Sequence, residues 1–151
     1  MDKKVIQVSG VVVEGHHVAS GPSQVYSYGT LERQKPFFKA RGLDLNVFFS
    51  GTLNVSIAPL KFEMIKPAYS FRHIVWTDLH PPEDFSFSPC RVLYQGEGYD
   101  GFIYYPHPET KIRHFQDPSI MEVITIKIPA INYGSFLELV LEAEAIRIWE
   151  E

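Results

Sequence analysis

Short runs of β-branched and aromatic residues, each closed by a glycine or proline turn, recur along the whole chain. Such runs with repeated turn signals are typical of all-β proteins. The pattern predicts strands over residues 4–14, 52–58, 71–78, 87–95, 101–106, 120–127 and 137–148. An all-β barrel or an all-β sandwich fits this pattern, and periodicity alone does not choose between them.

One short helix is predicted among the strands, over residues 36–42. Pro36 suits the first position of a helix, and Gly42 suits the position that follows its last turn. Residues 15–23 are rich in turn residues and predict a loop. Residues 96–101, which hold three glycines, predict a hairpin turn.

Length and charge narrow the class of protein. A chain of 151 residues is expected to form one domain over residues 1–151 and to bury about 68–70% of its unfolded surface. The net charge of −4 argues against a broad nucleic-acid surface. A single cysteine, Cys90, excludes an internal disulfide framework. Residues 1–8 lack the charged-then-apolar pattern of a signal peptide, and no apolar run is long enough to span a bilayer, so we expect a cytoplasmic protein without a membrane partner.

The segment Gly51-Thr52-Leu53-Asn54 reads as a glycine turn that runs directly into a strand. Side chains two positions apart on a strand point to the same face, so Thr52 and Asn54 present a hydroxyl and an amide oxygen side by side. Neutral oxygens suit a hard cation such as Mg²⁺, although the same residues are also common at ordinary turns. Leu53 and Val55 point the other way, into the predicted core.

The same segment resembles the central motif of the archaeal-type CTP-dependent riboflavin kinases. Further segments lie in the order which that family requires: residues 10–15 (GVVVEG), 37–43 (FFKARGL), 108–111 (PETK), 120–124 (IMEVI) and 133–134 (YG). The resemblance covers residues 8–146. It implies a six-stranded cradle-loop barrel with one or two short helices, and it implies phosphoryl transfer from CTP to the 5′-hydroxyl of riboflavin, which gives FMN.

The resemblance also implies roles for individual residues. Thr52 and Asn54 would hold Mg²⁺, while Thr110 and Glu122 would bind the flavin. Residues after the first strand and one lysine would bind the nucleotide. These residues are Glu14, Gly15, His16, Ser20, Gly21 and Lys127. A triphosphate also needs cationic neighbours, and the basic residues near the predicted loops are Lys35, Lys39, Arg41, Lys111 and Arg113.

Two alternatives to a kinase stay open. Residues 16–21 read His-His-Val-Ala-Ser-Gly where the family has a glycine-rich run, which favours a barrel that binds a flavin or nucleotide without catalysis. The six histidines favour a histidine-metal barrel enzyme if the fold brings three of them together. Their spacing in the sequence, for example seven residues from His107 to His114, lacks the local pattern of a zinc site.

Overall fold

The computed structural model describes residues 4–14, 26–28, 30–78, 81–107 and 117–150. These residues form ten strands and one helix. The elements are β1 (Val5–Val13), β2 (Tyr26–Tyr28), α1 (Thr30–Ala40), β3 (Gly51–Ser56), β4 (Lys61–Met64), β5 (Tyr69–Ile74), β6 (Glu83–Tyr94), β7 (Glu97–Pro106), β8 (Ile120–Thr125), β9 (Phe136–Glu142) and β10 (Ile146–Trp149).

Six of the strands close into an antiparallel barrel in the order β1-β9-β6-β7-β8-β3, and β3 pairs with β1 to complete the circle. Strand β1 pairs with β9 over residues 5–11 and with β3 over residues 11–13, so its hydrogen bonds to both strands close the barrel. The predicted all-β class is confirmed. Of the two architectures left open by periodicity, the chain adopts the six-stranded barrel with a short helix.

Alternate residues of the barrel strands fill its interior with apolar side chains. Leu53 and Val55 of β3 are fully buried there, as the alternation in the sequence predicts. They pack with Val92, Ile103, Val123 and Leu139 from four other strands. Thr52 and Asn54 alternate with Leu53 and Val55 on β3, so their side chains lie on the outer face of the barrel.

Helix α1 covers one part of the outer surface and creates a second core. Phe38 is 0% exposed, and its ring centroid lies 4.9 Å from that of Phe87 and 5.1 Å from that of Phe85. Leu31 and Phe71 belong to the same cluster. This second core fixes α1 against β5, β6 and β7.

The predicted start of the helix is wrong, whereas the predicted C-terminal cap at Gly42 is confirmed. The helix begins at Thr30, six residues before Pro36, which lies inside it. Leu31, Gln34, Lys35 and Phe38 are buried with the spacing of one helix face, while Pro36 is exposed. Burial of that face outweighs the backbone hydrogen bond that Pro36 cannot donate. At the other end, Gly42 has φ of 109°, and the amides of Gly42 and Leu43 donate to Lys39 and Phe38 in a Schellman cap.

Two strand predictions are corrected by the pairing. The strand predicted over 137–148 is interrupted after Glu142 by a turn, in which the amide of Ala145 donates to the carbonyl of Glu142. Its second half is β10, which leaves the barrel and pairs with β4. The strand predicted over 71–78 is β5, which runs from Tyr69 to Ile74 and has a register shift between Phe71 and Ile74. The turn ends the pairing of β9, and the pairing of β5 ends at Ile74, whereas the side-chain alternation continues beyond both points.

The predicted hairpin turn is shorter than residues 96–101. Strands β6 and β7 are joined by Gln95 and Gly96 alone, both with positive φ. Gly101 lies within β7, where a Cβ atom would collide with the carbonyl oxygen of Ile124 on β8. That glycine therefore permits close approach of two strands and does not mark a turn.

The thiol of Cys90 is buried in the barrel interior, and burial, followed by the charge of Asp100, raises its pKa. We therefore expect a thiol reagent to label the native protein far more slowly than the urea-unfolded chain. Because burial raises the pKa of the folded Cys90 thiol, its contribution to the free energy of unfolding is fully present below about pH 8.5. The contribution is lost as pH rises above this value, because the thiol of the unfolded chain then ionises. Equal labelling rates in native and unfolded protein would contradict the buried placement.

Among the described residues, no helix is both long enough and apolar enough to cross a membrane.

Candidate functional site

A row of paired residues crosses the outer face of the barrel and includes the buried Asn54 and Tyr104 with the half-buried Glu122 between them. Asn54 of β3 pairs directly with Glu122 of β8, and Glu122 pairs directly with Tyr104 of β7. Residues paired in this way place their side chains on the same face of the sheet. The full row, read across six strands, is Val13, Asn54, Glu122, Tyr104, Phe87 and Tyr69.

Thr52 joins this row because it lies two residues before Asn54 on the same strand. Its hydroxyl donates to the Oε1 atom of Glu122 at 3.2 Å. Thr52 is 3% exposed and Asn54 is 5% exposed, while Glu122 is half-buried. The predicted metal pair and one predicted flavin residue therefore form a single group of hydroxyl, amide and carboxylate, which we call the Thr52–Asn54–Glu122 group.

Helix α1 contacts the surroundings of this group at two adjacent positions. Gln34 accepts a hydrogen bond from the Tyr104 hydroxyl at 2.7 Å, and both residues are buried. Lys35 donates from its ammonium to the carbonyl of Phe48 at 2.7 Å. Phe48 precedes β3 by three residues. Helix α1 is therefore hydrogen-bonded both to the segment before Thr52 and to Tyr104, which pairs with Glu122.

Two pKa shifts reflect this burial. The pKa of Tyr104 is raised well above its usual value by burial, and further by the charges of Glu122 and Glu83. The pKa of Lys35 is lowered by burial, against the opposing effect of Glu32 and Asp44. Tyr104 is therefore a neutral hydrogen-bond donor beside the Glu122 carboxylate.

The predicted nucleotide residues are divided between described and undescribed parts of the chain. Gly15, His16, Ser20 and Gly21 fall outside the described residues. The barrel nevertheless fixes where their segment is attached: β1 ends with Val13 opposite Asn54, and β2 begins with Tyr26 opposite Leu53. Both ends of the segment therefore meet β3 beside the Thr52–Asn54–Glu122 group.

The other two predicted nucleotide residues, Glu14 and Lys127, are described. Glu14 follows Val13 directly, and its charge adds to burial in raising the pKa of Tyr133. The ammonium of Lys127 lies 5.6 Å from the ring centroid of Phe49. The amide of Phe49 donates a hydrogen bond to the carbonyl of Thr125 on β8. Because Phe49 precedes Thr52 by three residues, Lys127 lies near the start of β3.

Thr110 also falls outside the described residues, as do Lys111 and Arg113. The segment that carries them connects β7 to β8. These strands pair at Tyr104 and Glu122, and β7 ends, and β8 begins, two residues from that pair. The attachment points of the predicted flavin segment are therefore close to Glu122.

The remaining basic candidates lie at the far end of α1. Lys39 is exposed and lies 3.9 Å from the Asp44 carboxylate. Arg41 is also exposed and donates to the carbonyl of Arg72 at 3.4 Å. These contacts are those of solvated residues around a helix end, and neither contact joins Lys39 or Arg41 to Thr52, Asn54 or Glu122.

Two of the six histidines lie in the described ranges. His107 and Ser86 are hydrogen-bonded through Nε2 and Oγ at 2.7 Å. His73 has φ of 57° and donates its amide to Asp84 at 2.8 Å. Over residues 4–14, 26–28, 30–78, 81–107 and 117–150, no group of three or more His, Cys, Asp or Glu side chains is placed to hold a metal ion.

Sequence reasoning missed Gln34 and Tyr104. Gln34 precedes the predicted helix start, and Tyr104 reads as one of several aromatic residues in a strand. The sequence carries no clear signal for Gln34, because only Leu31 and Phe38 are apolar on the helix face that the structure buries, while Gln34 and Lys35 are polar. The pairing of Tyr104 with Glu122 has no local signal in the sequence.

Neither a scan of protein-family models nor a search of curated proteins gives a match to this chain. The resemblance to the CTP-dependent riboflavin kinases therefore depends on the segments quoted above.

Proposed function

We propose that this protein is a riboflavin kinase that transfers the terminal phosphoryl group of a nucleoside triphosphate, CTP by resemblance, to the 5′-hydroxyl of riboflavin. One observation carries the proposal. Thr52 and Glu122 are 70 positions apart in the chain, and each belongs to a segment that resembles the family. The barrel brings both into one group with Asn54, as a shared site requires.

The donor atoms of the Thr52–Asn54–Glu122 group fit Mg²⁺. All of them are oxygens, the ligand type that this cation prefers. Thr52 and Asn54 lie two positions apart on β3 and share its outward face, so their oxygens can approach one cation from the same side. We assign Thr52 and Asn54 as the residues that would hold Mg²⁺, which would offset phosphate charge during transfer.

We assign Glu122 to the binding of riboflavin. A carboxylate accepts hydrogen bonds, so Glu122 would accept from a ribityl hydroxyl or a ring N–H of riboflavin, together with Thr110. Because Glu122 is also bonded to Thr52, the flavin hydroxyl would be held beside the phosphate-binding group. Phosphoryl transfer depends mainly on such positioning.

The nucleotide would lie on the other side of the group. The segment with Gly15, His16, Ser20 and Gly21 leaves β1 next to Asn54, so its backbone amides are candidates to bind phosphates. Glu14 begins this segment, and Lys127 offers a cation near the start of β3. This arrangement would place the terminal phosphate between the two predicted binding segments.

The direct experiment is a product assay with purified protein, riboflavin and Mg²⁺, and with CTP, ATP, GTP and UTP in separate reactions. We expect FMN in at least one reaction, with CTP as the best donor, and none when Mg²⁺ is removed by a chelator. No FMN with any nucleotide would refute the kinase.

One observation favours the alternative of a barrel that binds flavin without catalysis. Thr52 and Glu122 satisfy each other by a hydrogen bond within the protein, so the pair is also stable as a structural contact. Riboflavin that binds with quenched fluorescence but yields no FMN would support this alternative.

A histidine-metal enzyme would instead be indicated by a stoichiometric transition metal in the purified protein.

A further inference from the structure

Tyr104 and Asn54 flank Glu122 on opposite sides, because β8 lies between β7 and β3. On the β3 side, the Glu122 carboxylate accepts from Thr52. On the β7 side, the nearest paired residue carries a buried hydroxyl, which is a hydrogen-bond donor. Glu122 thus has a potential donor on each side.

The Tyr104 hydroxyl has a choice of acceptors. The charges of Glu122 and Glu83 both act on it, and a carboxylate is a stronger hydrogen-bond acceptor than a neutral amide. The hydroxyl nevertheless donates to the amide oxygen of Gln34, at 2.7 Å. Gln34 therefore satisfies a donor that would otherwise compete with Thr52 for the Glu122 carboxylate.

We propose that Gln34 and Tyr104 are positioning residues: Gln34 binds the Tyr104 hydroxyl and thereby leaves the Glu122 carboxylate directed at Thr52 and Asn54. The effect on turnover rests on the proposed kinase function, whereas the effect on the Thr52–Glu122 contact does not. Without Gln34, the buried Tyr104 hydroxyl would need another acceptor, because an unsatisfied buried donor is costly. The carboxylate of Glu122 would then turn towards β7.

The position of Gln34 is itself fixed by α1. The neighbouring Lys35 is bonded to the Phe48 carbonyl, and Phe38 is packed between Phe71, Phe85 and Phe87. The amide of Gln34 therefore approaches Tyr104 from a helix that is held on both sides. This anchoring explains how a residue that need not touch substrate can set the direction of Glu122.

The test uses Gln34→Met, which keeps the size of the side chain but removes the acceptor. We expect kcat/KM for riboflavin to fall about 10-fold, at the lower end of losses seen when a supporting hydrogen bond around a metal site is removed. Adding Tyr104→Phe to Gln34→Met removes the competing donor and should restore kcat/KM to within about 3-fold of the wild type. A purely structural role predicts the opposite, since the double variant would be no better than Gln34→Met.

Tyr94→Phe is the matched control. It also removes one tyrosine hydroxyl from the barrel, where Tyr94 donates to the Ala130 carbonyl at 3.3 Å, but Tyr94 packs in the interior core and not in the row with Glu122. It should leave kcat/KM for riboflavin unchanged. A 10-fold loss in Tyr94→Phe, or no rescue by Tyr104→Phe, would overturn the inference.

A second readout does not depend on activity. The effects of Thr52→Val and Glu122→Gln on urea unfolding should be non-additive in the wild type, because the two side chains are in contact. They should become additive in Gln34→Met and non-additive again in Gln34→Met/Tyr104→Phe. Unchanged coupling in Gln34→Met would overturn the inference even in an active enzyme. Absence of FMN from the wild type would refute only the proposed function.

Discussion

Replacing Asn54 with alanine is expected to lower the rate of FMN formation about 10³-fold, which corresponds to roughly 4 kcal/mol of lost charge stabilisation. Asn54 is buried directly opposite Glu122, and its amide oxygen is one of two neutral oxygens assigned to Mg²⁺. Alanine leaves the strand pairing intact, so the loss of unfolding free energy should not exceed about 1–2 kcal/mol. Steady-state FMN production and urea unfolding measure the two effects.

Ser56→Ala is the matched control for this experiment. Ser56 lies on the same strand and the same face as Asn54, two residues further along, and its hydroxyl accepts from the nearby amide of Ala58 at 3.3 Å. The control should retain full activity. An equally inactive Ser56→Ala, or an Asn54→Ala protein that fails to fold, would show that Asn54 acts through the structure of β3 and not through a ligand.

Replacing Phe38 with alanine is expected to cost about 3–5 kcal/mol of unfolding free energy, because it removes a fully buried ring and leaves a cavity. The ring contacts three other phenylalanines of the second core, with centroid separations from 4.9 to 6.0 Å. Loosening α1 should also disturb Gln34 and Lys35, so activity should fall in protein that is still folded. Urea unfolding followed by far-UV circular dichroism measures the stability change.

The adjacent Phe37 provides an internal control, since it has the same side chain on the same helix but is 39% exposed. Phe37→Ala should change the unfolding free energy by less than about 1 kcal/mol. Equal losses for the two variants would contradict the assignment of Phe38 to a second core beneath α1.

The all-β class could be predicted because its signals are local, whereas the closure of the barrel depends on the pairing of β1 with β3 and was implied only by the resemblance. Alternating apolar residues and turn residues define β1, β3, β6, β7 and β8 without knowledge of their partners. Strands β2 and β4 span only three and four residues, which is too short to show a period. The predicted helix start is wrong because proline is unfavourable inside a helix, so the local sequence favours Pro36 at the first position. The burial that outweighs this cost depends on a core assembled from distant strands.

The candidate site was predictable only in part, for the same reason. Strand alternation places Thr52 beside Asn54 and turns Leu53 and Val55 inward, as observed. The contact between Thr52 and Glu122 depends on the register of β3 against β8, which no local pattern encodes. The resemblance implies that Glu122 binds the flavin, but it does not predict the contact of Glu122 with Thr52. The role that we propose for Gln34 depends on its hydrogen bond with Tyr104 and on the pairing of Tyr104 with Glu122, neither of which has a local signal in the sequence.

The most direct test of the central claim is transfer of label from [γ-³²P]CTP to riboflavin by the purified protein in the presence of Mg²⁺, with products separated by chromatography. We predict radioactive FMN that accumulates in proportion to CDP, and whose formation is lost in Asn54→Ala but retained in Ser56→Ala. Folded protein that gives no labelled FMN with CTP or any other labelled nucleoside triphosphate would contradict the claim that the Thr52–Asn54–Glu122 group supports phosphoryl transfer to riboflavin.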